Sequence, residues 1–393
     1  MTETIDLKRR YLMAGTVAAT GLLASGVRVN AQEDNPLPDY VDWKDPEAMI
    51  VHSNNTLETR RDAFGTSILT PEDKLYIRNN VSPPDESILD DRDAWEVSIE
   101  GVAEPRTLTV GELKTLGIDT VTMVLQCSGN GRGYFEHAPS GTPWQVGAAG
   151  NVMWTGVPLR AVVDALGGPA DGANFITGTG GETIPEGLDA NDVMVERSVP
   201  IDVIDTVMLA WDLNGEPISL AHGGPLRMIV PGFTGVNNVK YVKTVSLTAE
   251  ETQAAIQRTR YRLQPVGEEG GPEHPSVWQM NVKSFITSPL ETASAGTVQV
   301  TGVAFGGINA VESVEVSVDG GATWQAAEFI GPDMGRYAWR TFALAADLPA
   351  GSHVITSRAT DSEGNVQPED VEPNEPGYNH NGWRAHGVEI MVS

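Results

Sequence analysis

The sequence has little cysteine, few aromatic side chains and little positive charge. One cysteine among 393 residues leaves no partner for an internal disulfide. The 8 Phe, 9 Trp and 8 Tyr stand against 42 Gly and 25 Pro, which predicts many turns and a strand-rich chain. The 26 Lys and Arg are outnumbered by 53 Asp and Glu, for a formal net charge of −27. Such a surface repels nucleic acid and anionic membranes and attracts basic proteins, although a saline habitat also selects acidic residues.

Long apolar runs are also scarce. The run from Met13 to Val27 is short and rich in Gly and Ala, which does not suit a membrane span. Arg9 and Arg10 precede it, and small residues before Gln32 suit a cleavage site. The string RRYLM resembles the twin-arginine signature of proteins that are exported folded. We therefore predict a twin-arginine signal peptide over 1–31 and a periplasmic mature protein. An ordinary secretory signal and an uncleaved anchor are the alternatives.

The remaining chain has two textures. From Leu75 to Leu220, strand-like runs (WEVSIEGV, TVTMVLQC, VMLAWDL) alternate with helix-like pieces (TVGELKTLG, LRAVVDALGG), an α+β pattern. The stretch VGEEGGPEHP then indicates an interdomain linker. Short alternating strands follow, with a hairpin signal at DGG, residues 319–321. They predict an immunoglobulin-like sandwich without the paired cysteines of antibody domains.

The single cysteine, Cys127, ends a strand-like run and opens the glycine-rich segment CSGNGR. Glycines allow a bulky group to approach the backbone, and Arg132 favours a thiolate or a bound anion. A thiol nucleophile would need a base, and none of the 7 His stands at a recognised spacing. A zinc site would need more Cys and His nearby, whereas a thiolate can anchor a soft metal whose other ligands come from a cofactor. A buried, apolar cysteine is the ordinary alternative.

Several motifs in succession resemble the sulfite oxidase family of molybdenum enzymes. LQCSGNGR, GTPWQVGAAGNVMWTGVPL and LNGEPISLAHGGPLRMIVPGFTGVNNVKYVKTVSL resemble its molybdenum domain, and VEVSVDGGATWQAA and YAWRTFAL resemble its dimerisation domain. The resemblance covers nearly all of the chain after residue 31. It implies a molybdopterin-binding α+β catalytic domain with an N-terminal arm over 32–270. It also implies an immunoglobulin-like dimerisation domain over 271–393, and hence a homodimer.

The resemblance also implies roles for individual residues. Cys127 corresponds to the thiolate that binds molybdenum, the metal being held otherwise by a pyranopterin, and this role would explain a lone cysteine. The residues implied for the anion pocket, and for catalysis, are Arg78, Arg132, Arg340 and Trp144. The residues implied for cofactor contacts are Asn79, His222, Arg227 and Lys240. Guanidinium groups suit an oxyanion because they meet two oxygens at once. A surface salt bridge is the alternative for each arginine, and a hydrogen-bonded structural role is the alternative for His222.

Three positions depart from the family pattern. Many relatives have His where Asn80 stands, and animal sulfite oxidases carry Arg where Asn237 stands. Their pocket tyrosine aligns with Val195, so its role would be missing or supplied elsewhere, for which Tyr134 is a candidate. These departures bear on the exact substrate rather than on the metal.

The activity implied is that of a periplasmic sulfite dehydrogenase, which oxidises sulfite to sulfate by oxo transfer. The chain has no Cys-x-x-Cys-His haem site, and we expect no haem in it; electrons would pass to an external c-type cytochrome, whose basic face an acidic partner would attract. The alternative within the family is the sulfur (sulfane) dehydrogenase subunit, which acts on protein-bound sulfur. A sulfoxide reductase of the family lacks the sandwich domain, and an extracellular adhesion protein would leave the arginines unexplained.

Overall fold

The computed structural model describes residues 35–393, and the predicted signal peptide lies outside these residues. The first part of the described chain is a set of strands joined by loops and short helices. Its strands are β1 (Met49–Ser53), β2 (Thr56–Thr59), β3 (Ile77–Arg78), β4 (Glu96–Glu100), β5 (Arg106–Thr109), β6 (Asp119–Gln126), β7 (Ala149–Pro158), β8 (Phe175–Thr179), β9 (Glu196–Pro200), β10 (Met208–Leu213), β11 (Glu216–Pro217), β12 (Arg227–Ile229) and β13 (Thr244–Thr248). Its α-helices are α1 (Val110–Leu113), α2 (Leu159–Ala165), α3 (Ala190–Val193) and α4 (Ala255–Arg258).

The N-terminal arm forms a small antiparallel sheet in the order β1-β2-β3. Each residue of β2 is buried, including Glu58, which is 0% exposed. Thr56 of β2 pairs with Arg78 at the end of β3. The arm therefore fixes where Arg78 leaves the sheet.

Two five-stranded sheets form the rest of the first part of the chain. One has the order β5-β4-β13-β8-β9, in which β4 and β13 run parallel and the other pairs antiparallel. The other has the order β11-β10-β7-β6, with β12 also paired to β10. β6 and β7 pair along their whole overlap, from Asp119 with Gly156 to Gln126 with Ala149. The end of β6 is thus held firmly just before Cys127.

The helices are short, and local signals set their ends. α1 begins at a capping box, in which Thr109 and Glu112 exchange side-chain-to-backbone hydrogen bonds. α2 follows Pro158 and buries Leu159, Val162 and Val163 against the sheets. No helix within residues 35–393 is long and apolar enough to cross a membrane.

The second part of the chain is an all-β sandwich. Its strands are β14 (Lys283–Ser288), β15 (Thr292–Ala293), β16 (Gly296–Phe305), β17 (Val311–Ser317), β18 (Gln325–Ala326), β19 (Glu328–Ile330), β20 (Arg340–Leu348), β21 (Gly351–Asp361) and β22 (Val388–Val392). They form sheets in the orders β14-β16-β20-β19 and β15-β22-β21-β17-β18. The predicted hairpin signal at residues 319–321 lies in the turn between the paired strands β17 and β18.

The inner faces of the two sandwich sheets meet in one apolar core. Val300, Val316, Phe342 and Ile355 are among its most buried members. The α+β class with a following immunoglobulin-like sandwich is therefore confirmed. Arg61 links the two parts of the chain: its guanidinium donates to the backbone carbonyls of Ile286, at 2.6 Å, and His386, at 2.8 Å.

Candidate functional site

Two adjoining cavities lie around the end of β6. The first encloses about 700 Å³ including its open mouth, and the second about 840 Å³. Both are lined by Arg78, Asn79, Asn80, Cys127 and Tyr261. The single thiol therefore stands where the two cavities meet, and a group bound to it could reach into both.

The loop that presents Cys127 is fixed by hydrogen bonds to β7. The Cys127 amide donates to the carbonyl of Ala148 at 2.9 Å, and its carbonyl accepts from the Asn130 amide at 3.0 Å. The Asn130 side chain donates to Gln126 at 2.9 Å and accepts from the Ala148 amide at 3.1 Å. Cys127 is 8% exposed and forms no disulfide. This loop holds the thiol in one position rather than leaving it on a mobile turn.

The glycines after Cys127 make room for the guanidinium of Arg132. A Cβ at Gly129 would stand 2.8 Å from its Cζ, and a Cβ at Gly141 would stand 2.8 Å from its Nη1. Within this space the Arg132 Nε donates to the Pro376 carbonyl at 2.9 Å, and its Nη1 donates to the Thr142 carbonyl at 3.2 Å. The thiol of Cys127 and the guanidinium of Arg132 both line the second cavity.

Trp144 and Arg78 also line the second cavity. Trp144 is 1% exposed and meets the ring of His52 edge-on at 5.2 Å. His52 in turn contacts Glu58, whose carboxylate accepts from the amides of Gln145, at 2.8 Å, and Gly147, at 2.9 Å. The buried carboxylate of β2 therefore fixes the backbone that follows Trp144.

The first cavity is lined by the buried cation of Arg227 and the half-buried cation of Lys240. Arg227 lies 3% exposed and donates to the carbonyls of Asn238, at 3.0 Å, and His222, at 2.8 Å. Lys240 donates to the Oδ1 of Asn79 at 2.6 Å and to the Ala221 carbonyl at 2.5 Å. Burial lowers the pKa of Arg227 to about 10, and burial together with the Arg227 charge lowers the pKa of Lys240 well below its ordinary value.

His222 lines the first cavity, but its ring is engaged by the protein. Its Nδ1 lies 2.9 Å from Glu72 and 3.1 Å from the Ser219 hydroxyl. Its Nε2 lies 3.5 Å from the ammonium of Lys44. Burial, reinforced by the Lys44 charge, lowers the pKa of His222 below its ordinary value. The structural role that the sequence left open for His222 is therefore observed, beside its place in the cavity wall.

The donor set of the two cavities fits an anionic cofactor rich in acceptor atoms. Among residues 35–393, no carboxylate oxygen lies within 4 Å of the cationic groups of Arg78, Arg132, Arg227 or Lys240. The Asn79 Nδ2 and the Ser128 hydroxyl are buried without a hydrogen-bond partner in the same part of the chain. Buried cations and donors without partners are costly unless a ligand satisfies them. A phosphate and a pterin ring would satisfy them, and the thiolate of Cys127 could bind a soft metal.

Arg340 is not brought to this site. Its guanidinium pairs with Asp333 at 3.0 Å and lies over the ring of Phe329, with Cζ 4.5 Å from the centroid. It lines neither of the two cavities. An acidic partner and an aromatic neighbour within the sandwich hold it there, as in the surface salt bridge that is the ordinary fate of an arginine.

The departures at Asn237 and Asn80 have local explanations. The Oδ1 of Asn237 accepts from the Nε and Nη2 of Arg197, at 3.1 and 3.0 Å, and both residues are 0% exposed. Arg197, on β9, therefore brings a buried guanidinium to this region, and a second arginine at 237 would repel it. The Asn80 amide donates to the Val193 carbonyl at 2.6 Å. Val195 lines the first cavity as an apolar wall.

Tyr134, the tyrosine that the sequence suggested for the pocket, lies outside both cavities, and other tyrosines line them. Tyr134 is partly buried, with its ring against those of His380 and His386, and lines neither cavity. Tyr261 lines both cavities and Tyr378 lines the second. Tyr378 belongs to the C-terminal loop, far from Cys127 in sequence, so no local motif pointed to it.

Two domain families match the chain. The family described as oxidoreductase molybdopterin binding domain matches residues 84–256, and the Mo-co oxidoreductase dimerisation domain matches residues 274–392. Sulfite oxidase from Arabidopsis thaliana is 31% identical over 354 residues, which cover 80% of this chain and 86% of that protein. Mitochondrial sulfite oxidase from Homo sapiens is 32% identical, and the match covers 83% of this chain and 62% of the human protein, less than two thirds of its length.

A solved structure shares the fold over almost its full length. The sulfane dehydrogenase SoxCD from Paracoccus pantotrophus aligns with a TM-score of 0.72, covering 96% of this chain and 96% of that chain. The sequence identity between the two is 24%. At that identity the likeness shows the fold alone.

Proposed function

Because the chain belongs to the sulfite oxidase family of molybdopterin-dependent oxidoreductases, we propose that it is a sulfite dehydrogenase. In this proposal the chain oxidises sulfite to sulfate and transfers the electrons to an external c-type cytochrome. The observation that carries the proposal is the second cavity, where Arg78 and Arg132 line the wall beside the thiol of Cys127 without a carboxylate partner among the described residues. Sulfite is a small oxyanion, and such a cavity favours it by charge and by hydrogen bonding.

The first cavity is the proposed place of the cofactor. Cys127 would bind the molybdenum, Arg227 and Lys240 would bind the phosphate, and Asn79 and His222 would line the bound pterin. When bound, the molybdenum centre supplies the oxygen transfer and takes up two electrons. The contribution of the chain is to hold the anion beside the metal and to exclude other ligands. Arg132 is suited to this because carbonyl acceptors fix its guanidinium before any substrate binds.

The acidic composition supports the choice of a basic electron acceptor. The formal net charge is −27, which would accelerate encounter with a positively charged cytochrome at low ionic strength. We accordingly expect cytochrome reduction to slow down as salt rises, whereas reduction of a small anionic acceptor such as ferricyanide should not slow in the same way. Export to the periplasm by the twin-arginine route and assembly into a homodimer belong to the same proposal, the latter supported by the matched dimerisation domain.

A second candidate function is sulfane dehydrogenase, which would oxidise sulfur carried on a protein. The shared fold with the sulfane dehydrogenase SoxCD, over 96% of both chains, favours considering it. The two functions differ in what must enter the second cavity: a free oxyanion in one case, and a sulfur atom on a peptide arm in the other.

The test is sulfite-dependent reduction of ferricyanide by the purified, molybdenum-loaded protein, with Cys127→Ser beside it. Turnover of the parent protein and its loss in the variant would support the proposal. A persulfide on a cysteine-containing peptide, supplied in place of sulfite, tests the second candidate. Turnover with the peptide and none with sulfite, at full molybdenum content, would refute the sulfite proposal.

A further inference from the structure

Four side chains from distant parts of the sequence form a continuous stack beside the second cavity. The rings of Tyr261 and Tyr378 are parallel, with centroids 5.0 Å apart and planes inclined by 6°. The Arg132 Cζ lies 5.2 Å from the Tyr378 centroid, and the Arg197 Cζ lies 5.6 Å from the Tyr261 centroid. Aromatic faces attract cations at these separations, most strongly where water is excluded. Tyr261 and Tyr378 are called the tyrosine pair below.

The Arg197 end of the stack is anchored in the core. Its guanidinium donates to the Asn237 Oδ1 at 3.1 and 3.0 Å and to the Ile256 carbonyl at 2.7 Å. Within residues 35–393, no carboxylate lies within 4 Å of this guanidinium. Arg197 therefore contacts neutral acceptors and the ring of Tyr261. These contacts hold its guanidinium in one position at the end of the stack.

The Arg132 end is held by the C-terminal loop. The Pro376 carbonyl accepts from the Arg132 Nε at 2.9 Å, and the ring of Tyr378 covers the guanidinium. Asn374 stiffens this loop, because its side chain accepts from the Tyr378 amide at 2.8 Å and donates to the Tyr378 carbonyl at 3.0 Å. The Asn379 amide then donates to the Ser128 carbonyl at 2.9 Å. The loop thus joins the second domain to the residue that follows Cys127.

The backbone is left-handed at both places where the chain delivers the tyrosine pair, and it is strained at Tyr261. Tyr261 has φ +51°, and Asn379, next to Tyr378, has φ +56°. A bulky residue such as tyrosine rarely adopts this left-handed region. Such strain persists where the surrounding structure requires one particular placement of the side chain. The left-handed backbone of Tyr261 therefore costs conformational free energy, and it places the ring in the wall of both cavities.

Both rings of the tyrosine pair face the second cavity, together with Arg132, Trp144 and Cys127. Neither phenol hydroxyl has a hydrogen-bond partner in the described part of the chain. The pair therefore does not serve as a hydrogen-bonded clamp between the two domains. Its contribution is the area of its rings, which cover the Arg132 guanidinium on one side and close the cavity on the other.

We propose that the tyrosine pair determines the specificity of the oxyanion site, by holding Arg132 in place and by limiting the second cavity to small oxyanions. This inference rests on the proposed function. It makes the pair a positioning element for Arg132 and a steric limit for the ligand. Because Arg132 and both rings line the same cavity, the proposal places a small oxyanion beside Arg132, whereas a sulfinate that carries a phenyl ring would compete with the tyrosine rings for space.

The test compares binding of sulfate and of benzenesulfinate to the molybdenum-loaded protein by calorimetry, for Tyr378→Ala and Tyr378→Phe. Loss of the ring in Tyr378→Ala should weaken sulfate binding by about tenfold, because Arg132 loses its aromatic cover. The same variant should bind benzenesulfinate more tightly than the parent does, because the ring no longer occupies the space. Tyr378→Phe keeps the ring, so it should restore most of the sulfate affinity and exclude benzenesulfinate as the parent does. Opposite shifts for the two ligands are not expected from a damaged fold.

Trp324→Ala is the matched control, since it removes a ring that lies under Arg358, with Cζ 4.3 Å from the centroid, and lines neither cavity. Equal weakening of both ligands in Tyr378→Ala, or unchanged affinity for both, would overturn the proposal. A Tyr378→Phe variant as impaired as Tyr378→Ala would also overturn it, because the hydroxyl would then be the active group. Calorimetry needs no turnover, so these outcomes hold even if sulfite proves not to be a substrate, a failure that would concern the proposed function alone.

Discussion

The ammonium of Lys240 donates a 2.6 Å hydrogen bond to the side-chain oxygen of Asn79. This bond joins the N-terminal arm to the segment that leads into β13, across the first cavity. The Asn79 Nδ2, on the same side chain, is buried without a partner in the described residues. The side chain of Asn79 therefore orients a half-buried cation and keeps a donor free for a ligand.

Lys240→Met should lower the molybdenum content with which the protein purifies. The variant keeps the volume of the side chain but loses the charge, and hydrogen bonds to charged groups contribute about 1.5–3 kcal/mol, or about tenfold or more in affinity. Molybdenum content after purification, measured by mass spectrometry of the metal, is the direct readout.

Lys243→Met is the control for that change. Lys243 lies three residues further on, covers the ring of Trp95 at 3.4 Å and lines neither cavity. It should purify with the metal content of the parent protein. Full molybdenum in Lys240→Met would mean that Lys240 does not hold the cofactor.

Substitution by methionine should lower activity strongly at Arg132 and only slightly at Arg340. Arg132→Met should lower kcat/KM for sulfite by about 10²–10³, as losing one preorganised donor to a developing charge does. Arg340→Met removes a partly exposed ion pair with Asp333 and should change kcat/KM by less than about threefold. Steady-state kinetics with ferricyanide, at matched molybdenum content, decide the point. A large loss of kcat/KM in Arg340→Met would mean that Arg340 takes part in binding the anion.

Arg132 and Arg340 show which features of the site the sequence could predict and which it could not. Arg78, Arg132 and Trp144 lie in motifs close to the strands that carry them, and all three line the second cavity. Arg340 shares a motif with the family too, but its direction depends on Asp333 and Phe329, which no spacing reveals. The α+β core and the sandwich followed from strand alternation and turn signals, which are local.

The tyrosine pair was missed because its two members are far apart in the chain. Tyr261 and Tyr378 are 5.0 Å apart in space only because the C-terminal loop returns to the cysteine loop. The left-handed backbone of Tyr261 could not be predicted from the sequence either, since glycine, and not tyrosine, is the residue that favours positive φ. Long-range packing decides both features.

The buried histidines of the domain boundary should make the protein sensitive to acid. Burial, together with the nearby Lys283 charge, lowers the pKa of His380 to about 3, and burial also lowers the pKa of His386. The unfolded chain therefore binds protons that the folded chain does not, from about pH 6.5 downward. Stability is complete above that pH and declines as pH falls toward the folded pKa, by about 2 kcal/mol at pH 5 for His380 alone.

Denaturant unfolding of the parent protein at pH 7.5 and pH 5 should show this decline, and His380→Gln should reduce it. His353→Gln changes a histidine at the exposed end of β21 and should leave the pH dependence as in the parent protein. An equal decline in His380→Gln and the parent would show that His380 is protonated in the folded protein.

Gly129→Ala should displace Arg132 without removing any functional side chain. The added Cβ would lie 2.8 Å from both the Cζ and the Nη2 of Arg132, closer than non-bonded atoms allow. The guanidinium cannot yield freely, since the carbonyls of Pro376 and Thr142 and the ring of Tyr378 hold it. Overpacking of this kind costs about 1–3 kcal/mol, and we expect KM for sulfite to rise by about tenfold while Cys127 and the molybdenum content stay as in the parent protein.

Gly111→Ala serves as the control for Gly129→Ala. A Cβ at Gly111 would make ordinary contacts, the nearest at 3.5 Å from the Asp93 carbonyl oxygen, and Gly111 lies inside α1. Alanine in a helix is favoured over glycine by about 0.5–1 kcal/mol, so this variant should unfold at a slightly higher temperature with KM unchanged. If Gly129→Ala kept the KM of the parent at full molybdenum content, the position of the Arg132 guanidinium would not control sulfite affinity. The glycine-rich segment CSGNGR would then serve to present the thiol of Cys127 but not to position Arg132.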